Sequence, residues 1–266
     1  MPITKTRGNS FVLPANGASG GLYLDIWPED LALANFDGVE LWLDGKSVTT
    51  PGATLGLRDR IAGRAALAYD ITMVPGGSGR GDLAFSIPPA SSARIHVPAY
   101  TLPNEYMIAM IVTPPDGSAN TAKVLAQTTS SETNWMRTWL EQTAPGAVMN
   151  ARIRNDGDGG ISTAGDNFIP PLARSLIWFG QRSEDGRVYV GSGLTHKTQS
   201  SGAEEERIPV PGLFLGGAGT NLSFGGLIEA AAVVSGPMSS LNTSSSAVRR
   251  REDFLRLFAA RYGITL

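Results

Sequence analysis

A single amphipathic stripe closes a chain that otherwise reads as short apolar runs between glycine- and proline-rich breaks. Leu255, Phe258, Ala259 and Tyr262 recur at i, i+3, i+4 and i+7 and predict a helix near 246–262. Ser246 stands at its expected N-cap and Gly263 at a left-handed C′ position, with Glu252 and Arg256 as an i, i+4 pair in the favourable order. One helix cannot stabilise itself in water, so its stripe must pack on a sheet. Ahead of it lies Leu227-Ile228-Glu229-Ala230-Ala231-Ala232-Val233-Val234. Periodicity alone allows a strand or a short buried helix here. Gly225-Gly226 before the run and Ser235-Gly236-Pro237 after it limit it to strand length. Simple alternation then puts Ile228, Ala230, Ala232 and Val234 on one face and Leu227, Glu229, Ala231 and Val233 on the other.

The body of the chain repeats this grammar. Val39–Leu43 ends at Asp44-Gly45, and Leu83–Ile87 stops at Pro88-Pro89. Tyr106–Val112 is the most continuous apolar run of the middle and predicts a central strand buried on both faces. Strands are also expected over 122–126, 134–141 and 147–154. Leu176–Phe179 and Arg187–Val190 flank Ser183-Glu184-Asp185-Gly186 as a hairpin. With 32 Gly and 17 Pro, about a dozen short strands and one helix, the pattern is that of an all-β sandwich rather than βαβ units. Residues 1–21 are polar and glycine-rich and read as an arm, either a free terminus or a segment ordered against another subunit; 22–35 read as an entry strand and turn around Trp27-Pro28-Glu29-Asp30. The domain division is therefore 1–35 and 36–266.

Composition narrows the function classes. A net charge of −2 argues against a general nucleic-acid binder. There is no cysteine, which excludes a disulfide scaffold. The first residues have no apolar run behind their charges, so no signal peptide is expected, and no stretch is long enough for membrane insertion.

Three landmarks carry a family resemblance. Phe36-Asp37-Gly38-Val39-Glu40-Leu41-Trp42-Leu43-Asp44-Gly45, with Leu57-Arg58-Asp59-Arg60-Ile61-Ala62-Gly63-Arg64, resembles the opening of phage-type laminin G-like domains, with Leu57 where a Trp is common. Glu105–Val112 resembles their central strand, and Phe224–Val234 with Ala260-Arg261-Tyr262-Gly263-Ile264 their end. The resemblance implies a two-sheet antiparallel jelly-roll sandwich of the concanavalin A-like kind with one C-terminal helix. It also implies a structural or receptor-binding part of a phage-like particle, made in the host cytoplasm and residing in the virion. Its partners would be other particle proteins and a host-surface glycan, in a homo-oligomer or many copies. That superfold carries lectins, glycosidases and adhesion modules alike.

Candidate sites are few. Trp135, Arg137 and Trp139 alternate, and so do Asn150, Arg152 and Arg154 on what can be the neighbouring strand. Flat apolar rings beside Asn and Arg suit a glycan platform. The competing reading makes the tryptophans core and the arginines rim. Asn155-Asp156-Gly157-Asp158-Gly159-Gly160 has the oxygen-rich look of a calcium loop, with Asp156 and Asp158 as candidate ligands, but equally suits a tight turn. No cofactor is expected otherwise. The E-x-D-x-x-E run that glucanases of this fold place on one strand is missing, and Glu204-Glu205-Glu206 reads as a solvated loop. The expectation is a binding protein rather than an enzyme, with a glycan-active hydrolase of the same fold as the alternative.

Overall fold

In the computed structural model, backbone and side chains are described for 27–89, 91–103, 105–116, 123–128, 169–181, 188–197, 211–217, 223–235 and 248–266. For 4–5, 10–13, 22–25, 135–141, 150–156, 161–164, 182, 187, 198–199 and 245–247 it describes the backbone. The chain opens with β1 (Thr4–Lys5), β2 (Ser10–Leu13) and β3 (Leu22–Asp25), which pair antiparallel with one another as a separate small sheet. Then come α1 (Pro28–Ala34), β4 (Val39–Asp44), a 3-10 turn (Gly45–Ser47), β5 (Val48–Thr50), β6 (Thr54–Arg58), β7 (Ala65–Tyr69), β8 (Thr72–Pro75) and β9 (Leu83–Ser86). The middle holds β10 (Arg94–Thr101), β11 (Tyr106–Thr113), β12 (Lys123–Thr128), β13 (Trp135–Glu141), β14 (Asn150–Asp156) and β15 (Ile161–Ala164). The end holds β16 (Ser175–Arg182), β17 (Arg187–Ser192), β18 (Thr195–Gln199), β19 (Pro211–Leu215), β20 (Leu227–Ser235) and α2 (Ser245–Arg261).

Two large sheets form. One has nine strands in the order β15-β14-β13-β12-β19-β10-β7-β6-β5; the other has eight, β18-β17-β16-β11-β20-β9-β8, with β4 also paired to β20. Every pairing in them is antiparallel. The main core lies between the sheets. Leu57, Ala68, Ile95 and Leu213 come to it from the nine-stranded sheet, Phe85, Ile108, Phe179 and Val233 from the other. A second core covers the opposite face of the eight-stranded sheet, where Phe254, Leu255, Phe258, Ala259 and Tyr262 of α2 meet Trp42, Met107, Trp178 and Ala232. As expected, β11 is buried along both faces, because one face looks into the sandwich and the other under the helix.

Several expectations are corrected. The Trp27–Asp30 segment is no strand and turn. Pro28 opens α1 with Glu29 and Asp30 in its first turn, a composition favoured at helix starts, and Leu33 packs into the second core. The second expected helix starts at Ser245, so Ser246 lies inside α2 rather than capping it. Glu252 and Arg256 form no ion pair, in line with the small gain of exposed pairs. The cap at the other end is as expected: Gly263 has φ +67°, and the Ile264 N–H reaches the Ala259 carbonyl at 2.9 Å.

Strand β20 is a strand, but its faces do not alternate simply. Ile111 pairs with Ala230 while the next residue, Val112, pairs with Ile228, so Glu229 is an extra residue in a bulge. Ile228 therefore joins Ala231 and Val233 in the main core, while Ala230, Ala232 and Val234 face the helix. The bulge lets Glu229 leave the apolar alternation and take a bidentate bond from Arg174, 2.6 and 2.8 Å.

Candidate functional site

The expected platform residues fall on two paired strands. β13 and β14 are antiparallel neighbours, with Trp135 opposite Asp156, Arg137 opposite Arg154, Trp139 opposite Arg152, and Glu141 opposite Asn150. Their backbones are placed in the nine-stranded sheet; their side chains lie outside the described residues. Asp156 ends β14, and Asp158 lies outside the described residues, as does Glu204-Glu205-Glu206. Among the described residues no three His, Asp or Glu side chains converge as a metal site.

The same sheet presents an outer face whose side chains are described. Ala66 and Ala68 of β7 point inward and are buried, so Leu67 and Tyr69 point outward, with Leu67 38% exposed. Ile95 and Val97 of β10 point inward, so Arg94 and His96 point outward. Leu213 and Leu215 of β19 point inward and Phe214 outward. Register lines these up across the strands: Leu67 opposite His96, His96 opposite Phe214, Phe214 opposite Gln127. Directly opposed residues lie close enough to form one surface. The His96 and Phe214 rings stack at 4.3 Å with 19° between planes. In the next row Tyr69 is opposite Arg94, whose guanidinium lies 4.4 Å over the Tyr69 ring. Burial, then the charge of Arg94, lowers the His96 pKa, so the imidazole is neutral at pH 7. The Gln127 row continues into the expected site, since Gln127 is opposite Arg137 and Arg137 opposite Arg154.

Sequence reasoning missed this part of the face for a definable reason. In Ala65-Ala66-Leu67-Ala68-Tyr69 the small residues go inside and the large ones outside, the reverse of the usual rule. Leu213-Phe214-Leu215 reads as uniformly buried. Only Arg94-Ile95-His96-Val97 carried a legible polar–apolar alternation.

A second polar cluster lies at the C-terminal end of α2. Arg261, fully buried, contacts Asp30 of α1 through Nε and holds Asp82 bidentately at 2.7 and 2.9 Å. Arg60 reaches Asp44 at 2.6 Å and Asp30 at 3.4 Å, with its guanidinium 3.6 Å over the Trp42 ring. Lys46 adds a third contact to Asp30 at 3.3 Å. Arg174, besides holding Glu229, donates to the Tyr262 carbonyl. Gly77 passes so close beneath Arg174 that a Cβ there would sit 2.6 Å from its Cδ. For Asp30, burial alone would raise the pKa, but Arg60, Arg261 and Lys46 together pull it below the ordinary range. Asp82 is likewise lowered: Arg261 and the Ser78 hydroxyl outweigh burial. Burial pushes the Tyr262 hydroxyl well up. The cluster thus pairs ionised acids with cations and clamps α1, β4 and the 76–82 loop to α2.

Asp59, in the landmark stretch after β6, is equally structural. Its carboxylate accepts from the backbone N–H of Trp42, Ile61 and Ala62 and from Arg64, each at 3.0 Å.

No protein-family model matches the chain, and no curated protein does. Among solved structures it is similar to domain 4 of AbnA, a GH43 extracellular arabinanase from Geobacillus stearothermophilus, at TM-score 0.56 and 13% identity, covering 82% of this chain and 98% of that one. The fold is a two-sheet jelly roll. It is also similar to Trypanosoma rangeli sialidase, at TM-score 0.55 and 11% identity over 90% of this chain, and spans 38% of that protein. At these identities the likeness is one of fold. Among the described residues no helix is long and apolar enough to cross a membrane.

Proposed function

We propose that this domain is a non-enzymatic glycan-recognition module that binds on the outer face of the nine-stranded sheet. The observation that carries the reading is the row Leu67–His96–Phe214, an exposed apolar and aromatic strip edged by Arg94 and Gln127. A sugar ring offers a C–H face to stack on such a strip and hydroxyls for a neutral imidazole and an amide, each of which both donates and accepts. The opposite large sheet is covered by α2, which leaves this face for a ligand. The arabinanase domain of like fold is in complex with arabinotriose, which fits the reading. Trp135, Arg137, Trp139, Asn150 and Arg152 extend the same sheet and belong to the proposed site.

The absence of chemistry is part of the proposal. A glycosidase needs a carboxyl group held protonated near neutral pH. Asp30 and Asp82 instead have lowered pKa values and spend their oxygens on Arg261. The role as attachment part of a phage-like particle rests on the sequence resemblance. Modest affinity per copy then suits multivalent display with other particle proteins.

The test is binding to host cells and to a glycan array by the wild type, Leu67→Gln/Phe214→Ala and Trp135→Ala/Trp139→Ala, each checked for an unchanged unfolding midpoint. Loss of about tenfold or more in a folded Leu67/Phe214 variant is expected, the size of a contact hot spot. Unchanged binding in that variant removes this face from the site.

A further inference from the structure

The outer face carries an unusual charge balance. The chain as a whole has 24 acidic and 22 basic residues. Yet β5, β6, β7, β10, β12 and β19 together contain no Asp or Glu, and they contribute Arg58, Arg94 and Lys123. In register, the face continues through Gln127 to Arg137 and Arg154. An excess of one sign on one face of a near-neutral chain is a property of that face and not of the composition.

Arg94 is the best-placed of these charges. Its guanidinium is held flat by the Tyr69 ring, 4.4 Å below. Nη1 donates to the Ser92 carbonyl at 2.9 Å, and among the described residues that is its one protein acceptor. The nearby carboxylate, Asp70, takes the Ser92 hydroxyl at 3.0 Å and forms no ion pair with Arg94. The Nε and Nη2 edge is thus left for a ligand, pre-oriented by stacking, beside the His96–Phe214 stack. A planar fork with two parallel N–H groups fits a carboxylate bidentately, and little side-chain entropy remains to be lost on binding. Elsewhere in this protein an arginine so oriented always has an acid: Arg261 has Asp82 and Arg174 has Glu229.

We infer that the sheet face selects acidic glycans, with Arg94 taking the carboxylate of a uronic or other acid sugar whose ring stacks on the His96–Phe214–Leu67 strip. This rests on the glycan-binding reading above and adds the ligand's charge class. A neutral His96 serves as a hydroxyl partner in this arrangement and is not a second charge.

The experiment uses the full chain against immobilised uronate oligosaccharides of several linkages and the same oligosaccharides with carboxyls reduced to alcohols, at two salt concentrations. The wild type is expected to prefer the acids by roughly tenfold to a hundredfold, the range of a charge-assisted bond. Arg94→Gln, with an unchanged unfolding midpoint, should erase that preference while retaining residual binding to the reduced set. Arg58→Gln, on the same face but away from the stack, should leave the preference intact. Equal binding of acid and reduced sugars by the wild type overturns the inference and leaves the glycan reading standing. Binding to neither set, or to neutral array members alone, overturns the inference; binding to nothing at all sinks the glycan reading with it. An equal loss from Arg58→Gln, or equal uptake of single-stranded DNA, means diffuse charge attraction and likewise overturns it.

Discussion

The indole N–H of Trp42 donates to the hydroxyl of Tyr262 at 2.8 Å, joining residues 220 positions apart. That hydroxyl donates onward to Asp44 at 2.9 Å, and Asp44 also receives Arg60 at 2.6 Å. The landmark at the start of the domain and the helix at its end are therefore one hydrogen-bonded unit. Both ends are buried, so each polar group needs its partner.

Replacing Tyr262 by Phe keeps the ring in the second core and removes the hydroxyl. The Trp42 N–H loses its acceptor, and Asp44 keeps Arg60. Stability should fall by about 1–3 kcal/mol. Urea unfolding followed by tryptophan fluorescence measures it, and a change within error would show that water replaces the hydroxyl.

Arg261→Met should cost more. It strips Asp82 of its two strongest bonds and Asp30 of one, leaving buried carboxylates short of charge partners. Breaking a buried pair from one side costs about 3–5 kcal/mol. Replacing Asp82 by Asn in the same background should recover part of the loss; a double variant no better than the single would contradict this account.

Acid should act through the same groups. Asp30 and Asp82 have folded-state pKa values below their ordinary 3.8, since Arg60 and Arg261 overcome the opposing effect of burial. Their contribution is fully present above about pH 5 and is lost as pH falls through 3.8 and below. Thermal midpoints from pH 6 to 2 should fall, and fall less steeply in Arg261→Met. Parallel curves for the two proteins would place the acid sensitivity elsewhere.

Removing residues 1–25 should leave the two large sheets folded, because β1, β2 and β3 pair only among themselves. The unfolding midpoint of the remainder should match that of the full chain. If this segment docks on another copy, as its arm-like sequence suggests, the truncated protein should run as a smaller species in sedimentation. A truncated chain that fails to fold would make the small sheet part of the core.

The sequence by itself determined the layers. Tyr106–Val112 and Leu227–Val234 are too continuously apolar for anything but strands covered on both sides, and the Leu255–Tyr262 stripe could only serve as one of the covers. Those features are local, since burial on both faces is written as consecutive apolar residues. Tertiary structure decided what depends on register between distant strands. The extra residue at Glu229 is invisible in its own run and appears only when Ile111 and Val112 are matched to Ala230 and Ile228. The clamp around Arg261 collects Asp30 and Asp82 from positions that no spacing rule links. The outer face was hidden for a related reason. Ala66 and Ala68 fit inside because the opposing sheet fills the space with Phe85, Ile108 and Phe179, and Leu67 and Tyr69 are thereby turned outward beside Arg94 and His96. Which side of an alternating strand is the core is set by the volume available across the sandwich, and that volume belongs to residues elsewhere in the chain.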